Sequence, residues 1–392
     1  MFSIIQNEQY TGQSSPLFTK TIAQDVGLLH QKIDGYKPTP LVSLKNLAAK
    51  LGIKNIFIKD ESNRFGLNAF KVLGGSYALA KLLADKLNIE IDQFDLQQVQ
   101  TLLKEPLTFT TATAGNHGTG VAWAARQMGQ KAIVFMPKGA AESSVNRIKA
   151  LGAECIVTDV NYDDTVRLAN QTAQSNGWLL VQDTAWDGYE EIPTWISQGY
   201  MTMAAEAVEQ LSAESEKPTH VMLQAGVGAM AGGVLGYLVD ALGTNTFNAI
   251  VSEPVVADCV YRSAQDQNGN LVAVEGELDS IMAGLACGEV NPVTWPILRD
   301  STSFFARVTD SISATGMRIL GNPLKGDQSV VSGPSGAINL GLLYTISIHP
   351  NSQMLKTQLG LDENSSVLIF STEGDTNPEL YRKIVWEGMY SL

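Results

Sequence analysis

Short runs of β-branched and aromatic residues alternate along most of the chain with segments whose apolar positions recur at helical spacing. That alternation predicts a mostly parallel sheet with helices on both faces. Residues 54–60 read as a strand, ending in the polar, glycine-containing loop 61–68, with a helix from about 69 through 86. The glutamine-rich stretch 92–104 predicts a surface helix. Strand and helix then alternate: 107–112 and a helix ending near 128, 131–136 and 140–151, 154–158 and 162–175, and a further strand at 178–182. Residues 193–211 predict one long helix, and the polar turn 212–218 a hinge returning the chain to a larger unit. A strand at 220–224 runs through glycines into a helix at 230–242, followed by strands at 248–252 and 367–370. The polar region 266–277 reads as a surface excursion.

Length sharpens this into two α/β units, because 392 residues exceed one small core. The expected division is a large domain from 1–90 and 191–392 and a small domain from 91–190. Hydrophobic content of 44% against 17% charged residues suits buried cores and argues against long disorder. A net charge of −13 argues against nucleic acid or an acidic membrane as partner, since no basic excess exists to replace counterions. No early apolar run resembles a signal peptide or a membrane span, so a cytoplasmic protein is expected. Cys155, Cys259 and Cys287 match no metal spacing, and reduced thiols are the default expectation.

Four stretches carry candidate chemistry. In Asn68-Ala69-Phe70-Lys71-Val72-Leu73-Gly74-Gly75 a single lysine sits among apolar and small residues. Desolvation there favours the free amine, which a Schiff base to an aldehyde such as pyridoxal phosphate requires. A helix-start lysine with its head in water is the plainer reading. The turn Gln224-Ala225-Gly226-Val227-Gly228-Ala229-Met230-Ala231-Gly232-Gly233 joins a strand to a helix, where N–H groups converge on an anion. Its glycine spacing departs from a dinucleotide fingerprint, so a phosphate fits better, with close packing as the simpler account. Thr111-Ala112-Thr113-Ala114-Gly115-Asn116-His117-Gly118 offers hydroxyls, an amide and N–H groups suited to a carboxylate and a polar ring substituent. His117 reads as structural there, since no Ser or Cys nucleophile pairs with it. In Phe370-Ser371-Thr372-Glu373-Gly374-Asp375-Thr376-Asn377 a hydroxyl suits a neutral pyridine nitrogen, or simply caps a helix. Ser332-Gly333-Pro334-Ser335-Gly336-Ala337 is a tight turn into a helix.

Taken in chain order, Lys71, the Gly115-Asn116-His117 turn, the loop from Gly226 to Gly233 and the Ser371 turn resemble the fold-type II pyridoxal-phosphate enzymes. That family includes serine and threonine dehydratases, tryptophan synthase β-subunits and cysteine synthases. Within it the chain is most similar to the diaminopropionate ammonia-lyases. The similarity runs from about Pro38 to the C-terminus, through Gly66-Leu67-Asn68-Ala69-Phe70-Lys71, Asp183-Thr184-Ala185-Trp186-Asp187-Gly188-Tyr189, Met282-Ala283-Gly284-Leu285-Ala286-Cys287-Gly288-Glu289 and Thr372-Glu373-Gly374-Asp375-Thr376.

The resemblance implies a two-domain α/β fold with pyridoxal 5'-phosphate as cofactor and a small amino acid as substrate. It implies Lys71 as Schiff-base lysine and α-proton base, and Asn116 at the cofactor's ring oxygen. Gly226, Val227, Gly228, Ala229 and Met230 would hold its phosphate, and Ser371, with Thr372 as the neighbouring candidate, its pyridine nitrogen. Thr113, Ala114, Gly115, Asn116 and His117 would receive the substrate carboxylate, and Asp183 would bind or orient the substrate's amine. A homodimer is expected from the family alone, and no appended regulatory domain is expected. One departure stands out: the ammonia-lyases are expected to carry an aspartate just before Gly-Asn-His, the base for the D-isomer, and this chain has Ala114. Alanine there is what serine and threonine dehydratases carry. The expected reaction is α,β-elimination of 2,3-diaminopropionate, with the L-isomer preferred. A serine or threonine dehydratase is the alternative, and an inactive amino-acid-binding relative a third.

Overall fold

A computed structural model describes residues 1–391. Eleven strands are present: β1 (Phe2–Gln6), β2 (Leu41–Ser43), β3 (Asn55–Asp60), β4 (Thr108–Ala112), β5 (Lys131–Met136), β6 (Glu154–Val157), β7 (Leu179–Leu180), β8 (His220–Gln224), β9 (Asn248–Pro254), β10 (Phe304–Val308) and β11 (Ser366–Ser371). They form two sheets. The larger has the order β1-β10-β9-β8-β11-β3-β2 and the smaller β6-β5-β4-β7. All neighbours run parallel except the two edge pairs of the larger sheet, β1 with β10 and β2 with β3. β8 and β11 are buried along their whole length, as expected of central parallel strands covered on both faces.

Parallel pairing gathers the C-terminal ends of strands along one edge, where open α/β sheets bind ligands. β3 and β11 lie side by side with Asp60 opposite Ser371. The loops leaving these strands therefore meet. Phe70 N donates to Thr372 O at 3.1 Å, Gly374 N to Asn68 O at 3.0 Å, and Ala69 bridges to Glu373. This pairing is why the helix begins at Val72, three residues later than the apolar pattern predicts. Lys71 is left at the junction of strand-like backbone and helix.

The Val72–Leu87 helix lies between the sheets and packs on the Asn116–Gln127 and Glu191–Gly199 helices. Close approach here needs glycine. A side chain at Gly120 would put its Cβ 2.9 Å from Val72 Cα, and one at Gly199 would come 2.4 Å from Leu73 O. The long helix expected over 193–211 is interrupted for the same reason. It divides at Tyr200 into Glu191–Gly199 and Met201–Ala213, with Tyr200 fully buried beside Gly74 and Phe70. The 92–104 stretch holds a shorter helix, Leu96–Leu102, and buries Phe94 before it and Val99 within it instead of lying wholly on the surface. The polar turn at 212–218 joins the Met201–Ala213 helix to β8, and Glu216 in it pairs with Lys54 at 2.8 Å. Sequence pattern also missed β1, β2 and β10. No helix among the described residues is long and apolar enough to cross a membrane.

Under the loop before Lys71 lies a cluster of four buried charges. Arg64 makes paired hydrogen bonds to Glu61 (Nε to Oε2 and Nη2 to Oε1, both 2.8 Å) and to Glu206 (Nη1 to Oε1 at 2.8 Å and Nη2 to Oε2 at 2.7 Å). Lys59 Nζ donates to Glu206 Oε2 at 2.6 Å, and Tyr36 and Thr39 complete the acceptors' shells. The charges balance, and planar bidentate geometry satisfies the guanidinium. The loop they anchor holds Phe65 and Asn68 at positive φ, of 51° and 62°. Phe65 is a costly residue there and needs such support.

Removing Glu206 leaves the buried Lys59 without a carboxylate partner and Arg64 with Glu61 alone. Glu206→Ala is expected to cost about 3–5 kcal/mol in denaturant unfolding. Burial raises the Glu206 pKa, but hydrogen bonds and charge from Arg64 and Lys59 hold it well below the usual carboxylate range. A carboxylate depressed in the folded protein stabilises it above the ordinary pKa and loses that contribution as pH falls through the depressed one. The acid-side loss of stability should therefore be shallower in Glu206→Gln than in the parent. An equally steep loss would assign acid sensitivity to another group.

Candidate active site

Lys71 emerges from the loop after β3, and Asp183 from the segment after β7 in the smaller sheet. Lys71 Nζ donates to Asp183 Oδ2 at 2.5 Å, with side chains 19% and 9% exposed. His117, second residue of its helix, lies 3.8 Å away, Nδ1 to Asp183 Oδ2. Its Nε2 donates to Val181 O at 2.8 Å, which assigns the ring proton to Nε2 and leaves Nδ1 buried without a hydrogen-bond partner. So the structure brings together a lysine, a carboxylate and an imidazole that lie far apart in the chain. His117 thus faces the Lys71–Asp183 pair, a placement its sequence context does not show.

The electrostatics correct one expectation. Burial works to lower the Lys71 pKa, as its apolar neighbours predict, but the charge and hydrogen bond of Asp183 outweigh it and raise the ammonium above the usual lysine value. Burial likewise pushes the Asp183 carboxyl up, but the positive charge and hydrogen bonds beside it hold it down at about 2. Burial lowers the His117 pKa and keeps its ring neutral, so the Lys71 ammonium is what stabilises the carboxylate. Asp183→Asn is accordingly expected to lower, by more than about one unit, the pH at which Lys71 reacts with an amine-directed reagent. An unchanged reaction profile would remove Asp183 from control of that amine.

The other residues line the surrounding turns. Gly226–Met230 follows β8 and opens the Ala229–Leu242 helix, with Gly228 at φ 93°. N–H groups at such a helix start have no partners within the helix. Ser371, the last residue of β11, is buried and donates to Ser332 Oγ at 2.8 Å. Thr372 Oγ1 accepts from Gln224 Nε2 at 2.9 Å. In the Thr113–His117 turn, Thr113 Oγ1 accepts the N–H groups of Gly115 (2.9 Å) and Gly118 (3.2 Å), which shapes the turn and leaves its own O–H as a donor. The N–H groups of Ala114, Asn116 and His117 are not used in that way. Ala114 is exposed. Asn116 Nδ2 donates to Glu373 Oε2 at 2.7 Å.

Several participants escaped the sequence reading. Gln182 Nε2 donates to Tyr162 Oη at 3.0 Å and to Asp183 Oδ1 at 3.4 Å, tying the carboxylate to the Tyr162–Asn176 helix. Cys287 is pushed up to about 12 by burial and by the charge of Asp183, so it stays a thiol. All three cysteines are free. A carboxylate in a loop after an apolar strand, Glu373, was the one signal of this kind visible beforehand.

An amine, N–H groups at a helix start, a buried hydroxyl and an amide are the donor types that the aldehyde, phosphate, pyridine nitrogen and ring oxygen of pyridoxal phosphate call for, so the residues present fit that group. Residues 33–360 match the family described as pyridoxal-phosphate dependent enzyme. The diaminopropionate ammonia-lyase of Escherichia coli K12 is 53% identical over 389 residues, covering 99% of this chain and 97% of its own length. A crystal structure of the Escherichia coli diaminopropionate ammonia-lyase with an aminoacrylate-PLP azomethine reaction intermediate superposes with a TM-score of 0.94 at 53% identity, covering 100% of this chain and 98% of that one. The same protein in complex with D-serine gives a TM-score of 0.95 at 52% identity, with 100% and 98% covered. At this identity and over nearly its whole length, the chain belongs to the pyridoxal-phosphate dependent enzyme family, within its diaminopropionate ammonia-lyase branch.

Proposed function

We propose that this enzyme eliminates ammonia from 2,3-diaminopropionate, preferring the L-isomer, and releases pyruvate and two ammonia per substrate and water consumed. The observation that supports this most is the Lys71–Asp183 pair, 2.5 Å apart with His117 Nδ1 3.8 Å from the same carboxylate oxygen. When bound, pyridoxal phosphate condenses with an amine and draws off the electrons left at Cα after proton loss. Lys71 is the Schiff-base lysine in this reading and, once the substrate's amine has displaced it, the base at Cα. To act so its Nζ must be neutral. Asp183 supplies the means, because its single charge can exchange partners. When the β-ammonium of the substrate pairs with Asp183, Lys71 loses the interaction that holds its proton. The same contact orients the amine that leaves.

The remaining roles follow from chemistry at each turn. The N–H groups of Gly226–Met230 hold the phosphate, Ser371, with Thr372 beside it, faces the pyridine nitrogen, and Asn116 donates to the ring oxygen. The turn from Thr113 to His117 takes the substrate carboxylate through its N–H groups and the Thr113 O–H. Where the ammonia-lyases are expected to carry the aspartate that serves the face opposite Lys71, this chain has Ala114, whose methyl accepts no proton. The Escherichia coli lyase holds D-serine in its crystal complex. By that likeness a D-amino acid has room to bind here, and removal of its α-proton is the step that lacks a base. Ala114 also keeps a second reading in view, a serine or threonine dehydratase, which carries alanine at this place.

Pyruvate formation by the loaded enzyme should be measured with L- and D-2,3-diaminopropionate, L-serine and L-threonine side by side. L-Diaminopropionate is expected to dominate; equal turnover of both isomers would sink the isomer assignment, and faster turnover of serine or threonine the lyase assignment. Ala114→Asp is expected to add D-isomer turnover while leaving L-isomer turnover in place. Lys71→Ala should abolish the visible absorbance of the bound cofactor and lower turnover by at least about 10³-fold. A variant that keeps its absorbance band would remove Lys71 from that role.

A further inference from the structure

Glu373 is a buried acid to which the reading above gives no task. Its side chain lies in the loop after β11 with the residue 6% exposed. Oε1 accepts from the backbone N–H of Ser335 at 3.0 Å, in the first turn of the Pro334–Ile348 helix. Oε2 accepts from Asn116 Nδ2 at 2.7 Å. Its backbone bridges to Ala69, two residues before Lys71, and its carbonyl takes the N–H of Gly333 at 2.9 Å. A side chain at Gly333 would put its Cβ 2.9 Å from Glu373 Cγ and Oε1, so the carboxyl occupies space that only glycine leaves open. Arg147, from the Glu142–Ala150 helix beside the smaller sheet, lies on the same loop and donates to Thr376 O at 3.3 Å. Glu373 thus touches the Lys71 strand, a helix start of the larger sheet's layer and the Asn116 turn of the smaller one.

An asparagine amide has the same shape either way round, and its partners decide which side holds the nitrogen. A carboxylate only accepts. Against Glu373, Asn116 must therefore present Nδ2, which has a second N–H left for another acceptor. We infer that Glu373 is the positioning residue for Asn116, fixing the amide so that this second N–H meets the anionic ring oxygen of pyridoxal phosphate. The inference rests on the role proposed above for Asn116.

Glu373→Gln tests it, because the Ser335 N–H retains the new amide's oxygen and leaves its NH2 facing Asn116 Nδ2. Donor then opposes donor, and Asn116 must turn over. The dissociation constant of pyridoxal phosphate and the visible band of the bound cofactor should be measured for the parent, Glu373→Gln, Asn116→Ala and the two combined. The single change is expected to raise the dissociation constant roughly ten- to a hundred-fold, as loss of supporting partners does at other sites, and to alter the band. In the Asn116→Ala background it should add nothing. Pairing Glu373→Gln with Asn116→Asp restores a donor and an acceptor, so this protein should unfold at the parent's temperature while still binding the cofactor weakly. That arm holds even where the single variant fails to fold. An unchanged constant and band, an equal loss in both backgrounds, or recovered affinity in the paired variant would each overturn the inference. A parent protein without a visible band would instead overturn the reading of Lys71 on which it stands, and Asn116→Ala binding as tightly as the parent would overturn that of Asn116.

Discussion

The pairing of β3 with β11 joins residues more than 300 positions apart, and the rest of the site depends on it. Because the strands are parallel and Asp60 stands opposite Ser371, the loops that follow leave from the same edge and run alongside each other. Backbone hydrogen bonds then continue past the sheet, from Phe70 to Thr372 and from Gly374 to Asn68. Lys71 gains a fixed starting point for its side chain from this extension. Glu373 gains its place between Asn116 and Ser335.

Two kinds of buried charge serve this arrangement. The Lys59, Glu61, Arg64 and Glu206 cluster is closed: each donor and acceptor finds a partner within it, and its chemistry ends at holding the loop. The Lys71–Asp183 pair is open on one side, with His117 Nδ1 facing the carboxylate and bonded to nothing. Desolvation costs both groups, yet only the second offers a charge that an incoming cation can claim. That difference separates a closed ion network from an open one, although both contain a lysine and a carboxylate.

Much of this architecture was legible in the chain itself. Continuous apolar runs such as β8 and β11 announced central parallel strands, since a strand covered on both faces needs no alternation. β5 and β8 lie where the pattern put them, over Lys131–Met136 and His220–Gln224. The edge strands β1 and β2 were missed because they are short and only partly covered, so their patterning is weak, and the buried inner strand β10 was missed with them. The break at Tyr200 was invisible because its cause, the close packing of Gly199 on Leu73, lies in another helix.

Sequence alone determined which groups are available: one lysine in apolar company, three glycine-bearing turns after apolar strands, and an alanine where the related lyases are expected to have an acid. Local spacing carries that information because turns and helix starts are short-range structures. Tertiary structure alone decided the protonation of those groups and their partners. Lys71 looked like an amine ready to lose its proton, and the fold instead set Asp183 against it and raised its pKa. His117 looked structural, and the fold turned Nδ1 toward the same carboxylate. Charge interactions fall off with distance and strengthen with burial, and both quantities arise only when strands far apart in the chain come together.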